Sequence, residues 1–458
     1  MMRKTFCFTA VAAAALLVAC GKAATPEAAP ASSKPVRLQV FGDPAEITAY
    51  RELIAVYEKT HPGQRVELLP VGKQADHMAK LSTAFAAGNP PDLFILNFRR
   101  FGQFAGRGAL APLAEQMTAE GRYKVEDFYP QAVEAFDFQG THYCLPQNVS
   151  SLVVYYNRAL FKAAGVEEPR DDWRFSDLLA SAQKLRRDTD GDGKTDVWGV
   201  AIQPSLIRIA PFIWGMKGAL VDDVKQPSLL RIDGGSAVQG MALVKSLVSD
   251  YRVAPGQAET YAEDPDSRFA RGGVAMLFQS RRYTATLRDL GDKAPDWDVA
   301  PFPLLREPVG VLHADAYCMA AKAASPDAAK AFVAFALSAE GQAQLAKSGR
   351  TVPSRISVAT SPAFLDPTLA PARAQVFLDA IPHLRRTPNT ARWHEVESMA
   401  DVLLDERMFE PPMPGEAEGT VGSSLVAARL IAKTVQPILL EDLKAMKAAA
   451  PAAGTPAK

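Results

Sequence analysis

Apolar and polar residues alternate through Val36-Arg37-Leu38-Gln39-Val40-Phe41, the period-two pattern of a half-buried strand. A helical pattern follows from Ala45 to Thr60, and His61-Pro62-Gly63 stops it before the strand-like Val66-Glu67-Leu68-Leu69. A second helical pattern, about Asp76 to Ala87, ends at Gly88-Asn89-Pro90-Pro91; the apolar run Asp92 to Leu96 predicts a buried strand, and helix resumes from Arg100. Beyond Tyr143 the alternation returns, with strands at Leu152 to Tyr156 and Trp198 to Ile202 and helices around Phe175 to Asp188 and Ala237 to Tyr251. Strand and helix in alternation predict mostly parallel sheets covered by helices, hence an α/β fold of two lobes. The last third reads as helical at Pro326 to Leu337, Ala339 to Lys347, Trp393 to Leu404 and Gly422 to Met446. No internal repeat of 20 to 50 residues is visible.

The N-terminus changes the picture of where the chain works. Arg3 and Lys4 precede an apolar run from Phe6 to Ala19, the layout of an export signal and too short for a stable membrane span. That run ends in Leu17-Val18-Ala19-Cys20, like a lipobox, so residues 1–20 read as a lipoprotein signal with Cys20 the lipidated first mature residue. Residues 21–35, rich in Ala, Pro and Ser, read as a flexible tether, and the Ala/Pro segment 448–458 as a disordered tail. The expectation is an exported chain, anchored by lipid on the periplasmic or cell-surface side.

Charge excludes one class of partner. Lys plus Arg and Asp plus Glu each number 51, so no net field draws in nucleic acid or an anionic membrane. Of the cysteines, Cys7 lies in the leader and Cys20 carries lipid, leaving Cys144 and Cys318. These two can bridge in an oxidising compartment only if their Cα atoms lie about 4.4–6.8 Å apart, which sequence does not fix.

Several segments, in order, resemble the bacterial extracellular solute-binding proteins of the maltose-binding type. They are Ala86-Ala87-Gly88-Asn89-Pro90-Pro91-Asp92-Leu93, Gly108 to Leu113, Tyr143 to Pro146, Tyr155-Tyr156-Asn157-Arg158-Ala159-Leu160-Phe161 with Ala164-Gly165, Phe269 to Met276, Val309 to Leu312 and Ala328 to Phe335. The resemblance implies a two-lobed type II periplasmic-binding fold whose discontinuous lobes are joined by crossover hinge strands, with ligand held in the cleft between them. Lobe one is expected from 36–144 and 281–350, lobe two from 145–280 and 351–447. The implied function is that of a monomeric lipoprotein that captures a small polar solute, a carbohydrate first of all, and delivers it to the permease of an ABC importer. Alternatives from the same fold are a binder of an anionic ligand, such as a sugar acid or a glycerol-phosphate-like compound, and a sensor lipoprotein.

By position, the resemblance brings Asp43, Glu46, Asn97, Arg99 and Arg100 to the first-lobe side of the cleft, at strand ends where α/β sheets place ligands. From the second lobe it brings Ser205 in Gln203-Pro204-Ser205, Trp214 and Trp393, the two indoles as platforms for the apolar faces of a sugar. Arg282 and Tyr283, after the second crossover, and His313 and Asp315 complete the expected set. The sequence departs from the maltose-binding pattern at Leu96, Arg99 and the Arg281-Arg282 pair. Those arginines open the anionic alternative, because a guanidinium presents paired donors to carboxylate or phosphate.

Asp188-Thr189-Asp190-Gly191-Asp192-Gly193-Lys194-Thr195-Asp196 spaces carboxylates like a calcium loop, with Asp188, Asp190, Asp192 and Asp196 as candidate ligands of a structural Ca2+. Gly199 stands where such a loop has its bidentate glutamate, so no full EF-hand is expected, and no cofactor is required otherwise. Metal-binding histidine pairs, a Gly-x-Ser-x-Gly elbow and a Gly-x-x-x-x-Gly-Lys loop are all missing from the sequence. A carboxylate-pair glycosidase stays the less favoured, enzymatic reading.

Overall fold

A computed structural model describes residues 34–408 and 419–449. The signal, Cys20, nearly all of the tether and residues 450–458 therefore lie outside the described residues.

Two sheets organise the chain. The first holds β1 (Val36–Phe41), β2 (Val66–Val71), β3 (Leu93–Asn97), β4 (Leu145–Pro146) and a late strand, Asp315–Met319. The second holds β5 (Leu152–Asn157), β6 (Trp198–Ala201), β7 (Val274–Ser280) and β8 (Trp297–Ala300), which makes the late strand β9. Their orders are β2-β1-β3-β9-β4 and β8-β5-β7-β6. β1 pairs parallel with β2 and β3, as its strand–helix–strand connections require. The sheets are less parallel than expected, because β9 runs antiparallel to β3 and β4, and β5 antiparallel to β7 and β8. In the second sheet β6 and β7 alone are parallel.

Strand pairing also corrects a lobe boundary. β8 was expected in lobe one, yet it pairs with β5 through Trp297 and Asn157, so the chain returns to the first sheet after Ala300 rather than after Ser280. The two connections between sheets, 147–151 and 301–314, meet each other. Ser150 N donates to His313 O at 2.7 Å and His313 N donates to Ser150 O at 2.9 Å.

Local chemistry sets the helices that matter for the cleft. α1 (Pro44–Thr60) starts with Asp43 as N-cap, its Oδ1 accepting Glu46 N at 3.0 Å, and with Pro44, whose fixed φ suits the first turn. After α2 (Gln74–Ala86), α3 (Phe98–Ala105) is capped by Asn97. α4 (Leu206–Gly215) was not expected as a helix. Nearly all of its side chains are buried, so no polar face marks the 3.6-residue period.

Near the C-terminus, α5 (Trp393–Met408) and α6 (Gly419–Ala449) pack on the second core. α6 is long and apolar enough to cross a membrane, but Ala428, Ile431, Val435 and Leu439 are buried among Val244, Leu247 and Trp393. The core of the first sheet gathers Leu38, Val40, Tyr50, Leu53 and Phe332. A third cluster joins the sheets through Phe94, Leu96, Tyr155 and Leu277.

One covalent tie reinforces the first sheet: Cys144 and Cys318 form a disulfide, with Cα atoms 4.6 Å apart. Cys144 precedes β4 and Cys318 lies in β9, so the bond fastens the segment that enters the first crossover to the strand that returns from the second.

Candidate functional site

The strand ends of both sheets open on a cleft of about 370 Å³. Other depressions match it in size, at about 380 and 430 Å³, so volume does not single it out. Its walls do. The first sheet and its helices supply Phe41, Glu46, Gln74, Asn97, Arg99 and Asp315; the second supplies Gln203, Arg208, Asp266, Gln279 and Arg282. Asn148, Ser150 and His313, on the touching crossovers, form the floor with Arg350, Thr351 and Val352 beside them. Polar groups from two bodies and their hinge thus converge on one space, the arrangement of a site that grips a small polar ligand.

On the first wall the charges are already engaged. Arg350 makes ion pairs with both Asp43 and Glu46. Burial pushes the Glu46 carboxyl up to about 7, against the pull of Arg350. Arg99 Nη1 donates to Glu397 Oε2 of α5 at 3.1 Å, and its Nε donates to Asn97 Oδ1 at 3.2 Å. Asp315 is held by two amides, Asn97 Nδ2 to Oδ1 and Asn148 Nδ2 to Oδ2, both at 3.0 Å.

Across the cleft, Gln279 Nε2 donates to both oxygens of Asp266, at 2.8 and 3.1 Å. Burial raises the Asp266 carboxyl pKa, opposed by that amide and by Arg208 and Arg282. His313 is pushed down to about 3, by burial first and then by the charges of Arg99, Arg208 and Arg282, so its ring is neutral at pH 7.

Of the residues singled out from sequence, Glu46, Asn97, Arg99, Arg282, His313 and Asp315 line this cleft. Asp43 stands behind it, acting through Arg350. The others do not reach it. Trp393 is fully buried in the second core, so its indole faces carry packed side chains and none is free to stack on a sugar. Trp214 belongs to the same core and borders a different depression, with Gly218 and Pro388. Arg100 is half-buried outside the cleft. Ser205 is buried at the N-cap of α4, and Tyr283 is buried with its hydroxyl donating to Asp266 O at 2.5 Å.

Sequence reasoning missed Gln74, Asn148, Ser150, Arg208, Asp266, Gln279 and Arg350. Arg208 carried a readable signal, as the sole charge in Leu206-Ile207-Arg208-Ile209-Ala210-Pro211-Phe212-Ile213-Trp214.

The aspartate loop lies apart from the cleft. Asp188, Asp190 and Asp196 bring carboxylate oxygens within 4.8 Å of one another. Asp192 turns away: its Oδ2 pairs with Lys194 Nζ at 3.2 Å. Gly191 and Gly193, at φ 78° and 84°, make the tight backbone that points the three inward.

Known proteins share this architecture. The sequence profile described as bacterial extracellular solute-binding protein matches residues 42–343. A binding protein of Brucella abortus is 27% identical over 256 residues, 55% of this chain and 59% of that protein. This chain thus spans less than two thirds of that relative's length. A maltooligosaccharide ABC transporter solute-binding lipoprotein of Streptococcus pneumoniae is 34% identical over 189 residues, 41% of each chain. Among solved structures, the ABC substrate-binding protein Lmo0181 of Listeria monocytogenes, in complex with cycloalternan, superposes with a TM-score of 0.76 at 22% identity, covering 88% of this chain and 98% of that one. These are substrate-binding proteins, not enzymes.

Proposed function

Because this chain belongs to the family of bacterial extracellular solute-binding proteins, we propose that it captures a small hydroxyl-rich solute of the carbohydrate class in its interlobe cleft and presents it to an ABC importer. The observation that carries the reading is the convergence of Asn97, Asn148, Ser150, Gln203 and Gln279 from two sheets and their hinge on one space. Hydroxyl groups need donors and acceptors on several sides, and a ligand touching both walls favours the closed arrangement. That closed state is what a permease would recognise.

The carbohydrate preference rests on the names of the pneumococcal relative and of the Listeria structure, not on an aromatic platform, since among the described residues Phe41 alone of the Phe, Tyr and Trp side chains lines the cleft. Lipid anchoring at Cys20 is part of the proposal, and Cys20→Ser is expected to move the protein from the membrane fraction to the soluble one. A structural calcium ion held by Asp188, Asp190 and Asp196 is a further part.

A thermal-shift screen of the chain from Lys34 onward, against mono- and oligosaccharides, sugar acids and sugar phosphates with calcium or EDTA, tests both binding proposals, because a ligand bound only by the native state raises Tm. A saccharide at ~100 times its Kd is expected to stabilise the fold by about 2.7 kcal/mol. Calcium alone is expected to raise Tm, an effect removed by Asp190→Asn. No shift with any member of the panel would count against the first proposal, and equal Tm in calcium and EDTA against the second.

A further inference from the structure

Two arginines on the second wall of the cleft feel the charge of Asp266 but have no side-chain hydrogen-bond partner among the described residues. Among the described residues, the side chain of neither Arg208 nor Arg282 makes a hydrogen bond or an ion pair, although both line the cleft. The two other cleft arginines differ, Arg350 being paired with Asp43 and Glu46 and Arg99 with Glu397. Arg208 Nε is buried and unpartnered, and so is Nε2 of the neighbouring His313. Burial depresses the pKa of the Arg208 guanidinium, which marks a cation held away from water. An unpaired buried donor on a cation is costly, and an acceptor carried by a ligand offsets that cost.

The acidic groups on this cleft have partners within the protein, Glu46 through its ion pair with Arg350. Asp315 is satisfied by Asn97 and Asn148, and Asp266 by Gln279. Asp266 shares the wall with the arginines and opposes an anion there, but both its oxygens are occupied by the Gln279 amide.

We propose that Arg208, Arg282 and His313 form an anion subsite, so that the solute of this cleft carries a carboxylate or a phosphate on a polyhydroxyl body. The inference rests on the solute-binding reading above and narrows its ligand class. The two guanidiniums offer paired N–H donors to the anion's oxygens, and neutral His313 donates through Nε2 when the proton sits there. The side-chain amides of Gln74 and Gln203, which line the cleft and have no hydrogen-bond partner among the described residues, are left for hydroxyl groups.

Titration calorimetry on the chain from Lys34 onward tests this with D-glucuronate, glycerol 3-phosphate and inorganic phosphate against glucose, maltose and maltotriose. The expected result is binding of at least one anion, with glucuronate and glycerol 3-phosphate distinguishing carboxylate from phosphate. Arg208→Gln and Arg282→Gln are each expected to weaken that binding about tenfold to a hundredfold, the worth of one charge-assisted hydrogen bond. Arg282 is exposed, so its variant keeps the test valid if Arg208→Gln does not fold. A neutral saccharide bound equally by wild type and both variants, with no anion bound, overturns the subsite and leaves the carbohydrate reading intact. Binding of neither panel overturns both.

Discussion

Arg350→Ala is expected to destabilise the protein by about 3–5 kcal/mol at pH 8, the cost of leaving a buried carboxylate without its counter-charge. The guanidinium is itself buried and bridges Asp43 and Glu46, so one substitution breaks two ion pairs and loosens the start of α1. Glu46, at 8% exposure, has little water to replace it. Its folded pKa, already about 7 against an ordinary 4.5, rises further without Arg350. An acid whose folded pKa lies above its unfolded one destabilises increasingly as pH rises from the unfolded value to the folded one. The variant's loss should therefore shrink when pH is lowered from 8 to 5, as Glu46 takes up a proton. Urea unfolding of both proteins at the two pH values checks this, and an equal loss at both would contradict it.

Replacing both members of the disulfide, Cys144→Ser with Cys318→Ser, should cost about 2–5 kcal/mol. The bond closes a loop with a sequence separation of 174, which spans the whole of β5 to β8, so its loss frees a long excursion of the unfolded chain. It also leaves two serine hydroxyls where buried sulfur had packed beside β4 and β9. The effect is expected as a lowered Tm, reproduced in the wild type by a reductant. An unchanged Tm in both experiments would contradict it.

Much of the fold was legible because the relevant signals are local. Alternation in Val36 to Phe41, the stop at His61-Pro62-Gly63 and the apolar run into Leu96 each mark one element by neighbouring residues, and β1, α1 and β3 fall on them. Strand direction was not local. β8 joins the second sheet because Trp297 to Ala300 pair with residues about 140 positions earlier, and no pattern within four residues encodes that partner.

The site divides in the same way. Asn97, Arg99 and Arg282 were found because each follows a recognisable strand. Arg350 and Asp266 were not, because topology rather than any motif carries them to the cleft. Arg281 and Arg282 show how fine the distinction is. Arg281 is buried against Phe364 and Phe377, its Nε donating to Gly349 O at 2.6 Å, while the next residue faces the cleft. Trp393 shows the reverse error, since a large indole suits a sugar platform and a helix-packing core equally until its neighbours are known.

The central claim is that solute sits between the two sheets. Gln203 is exposed on the second wall and its side chain has no hydrogen-bond partner among the described residues, so Gln203→Trp should fill the cleft without disturbing the fold. With a solute that binds the wild type, calorimetry on this variant is expected to show affinity weakened by at least ~tenfold, or 1.4 kcal/mol, while the ligand-free Tm is unchanged. Undiminished affinity would place the ligand elsewhere and contradict the account.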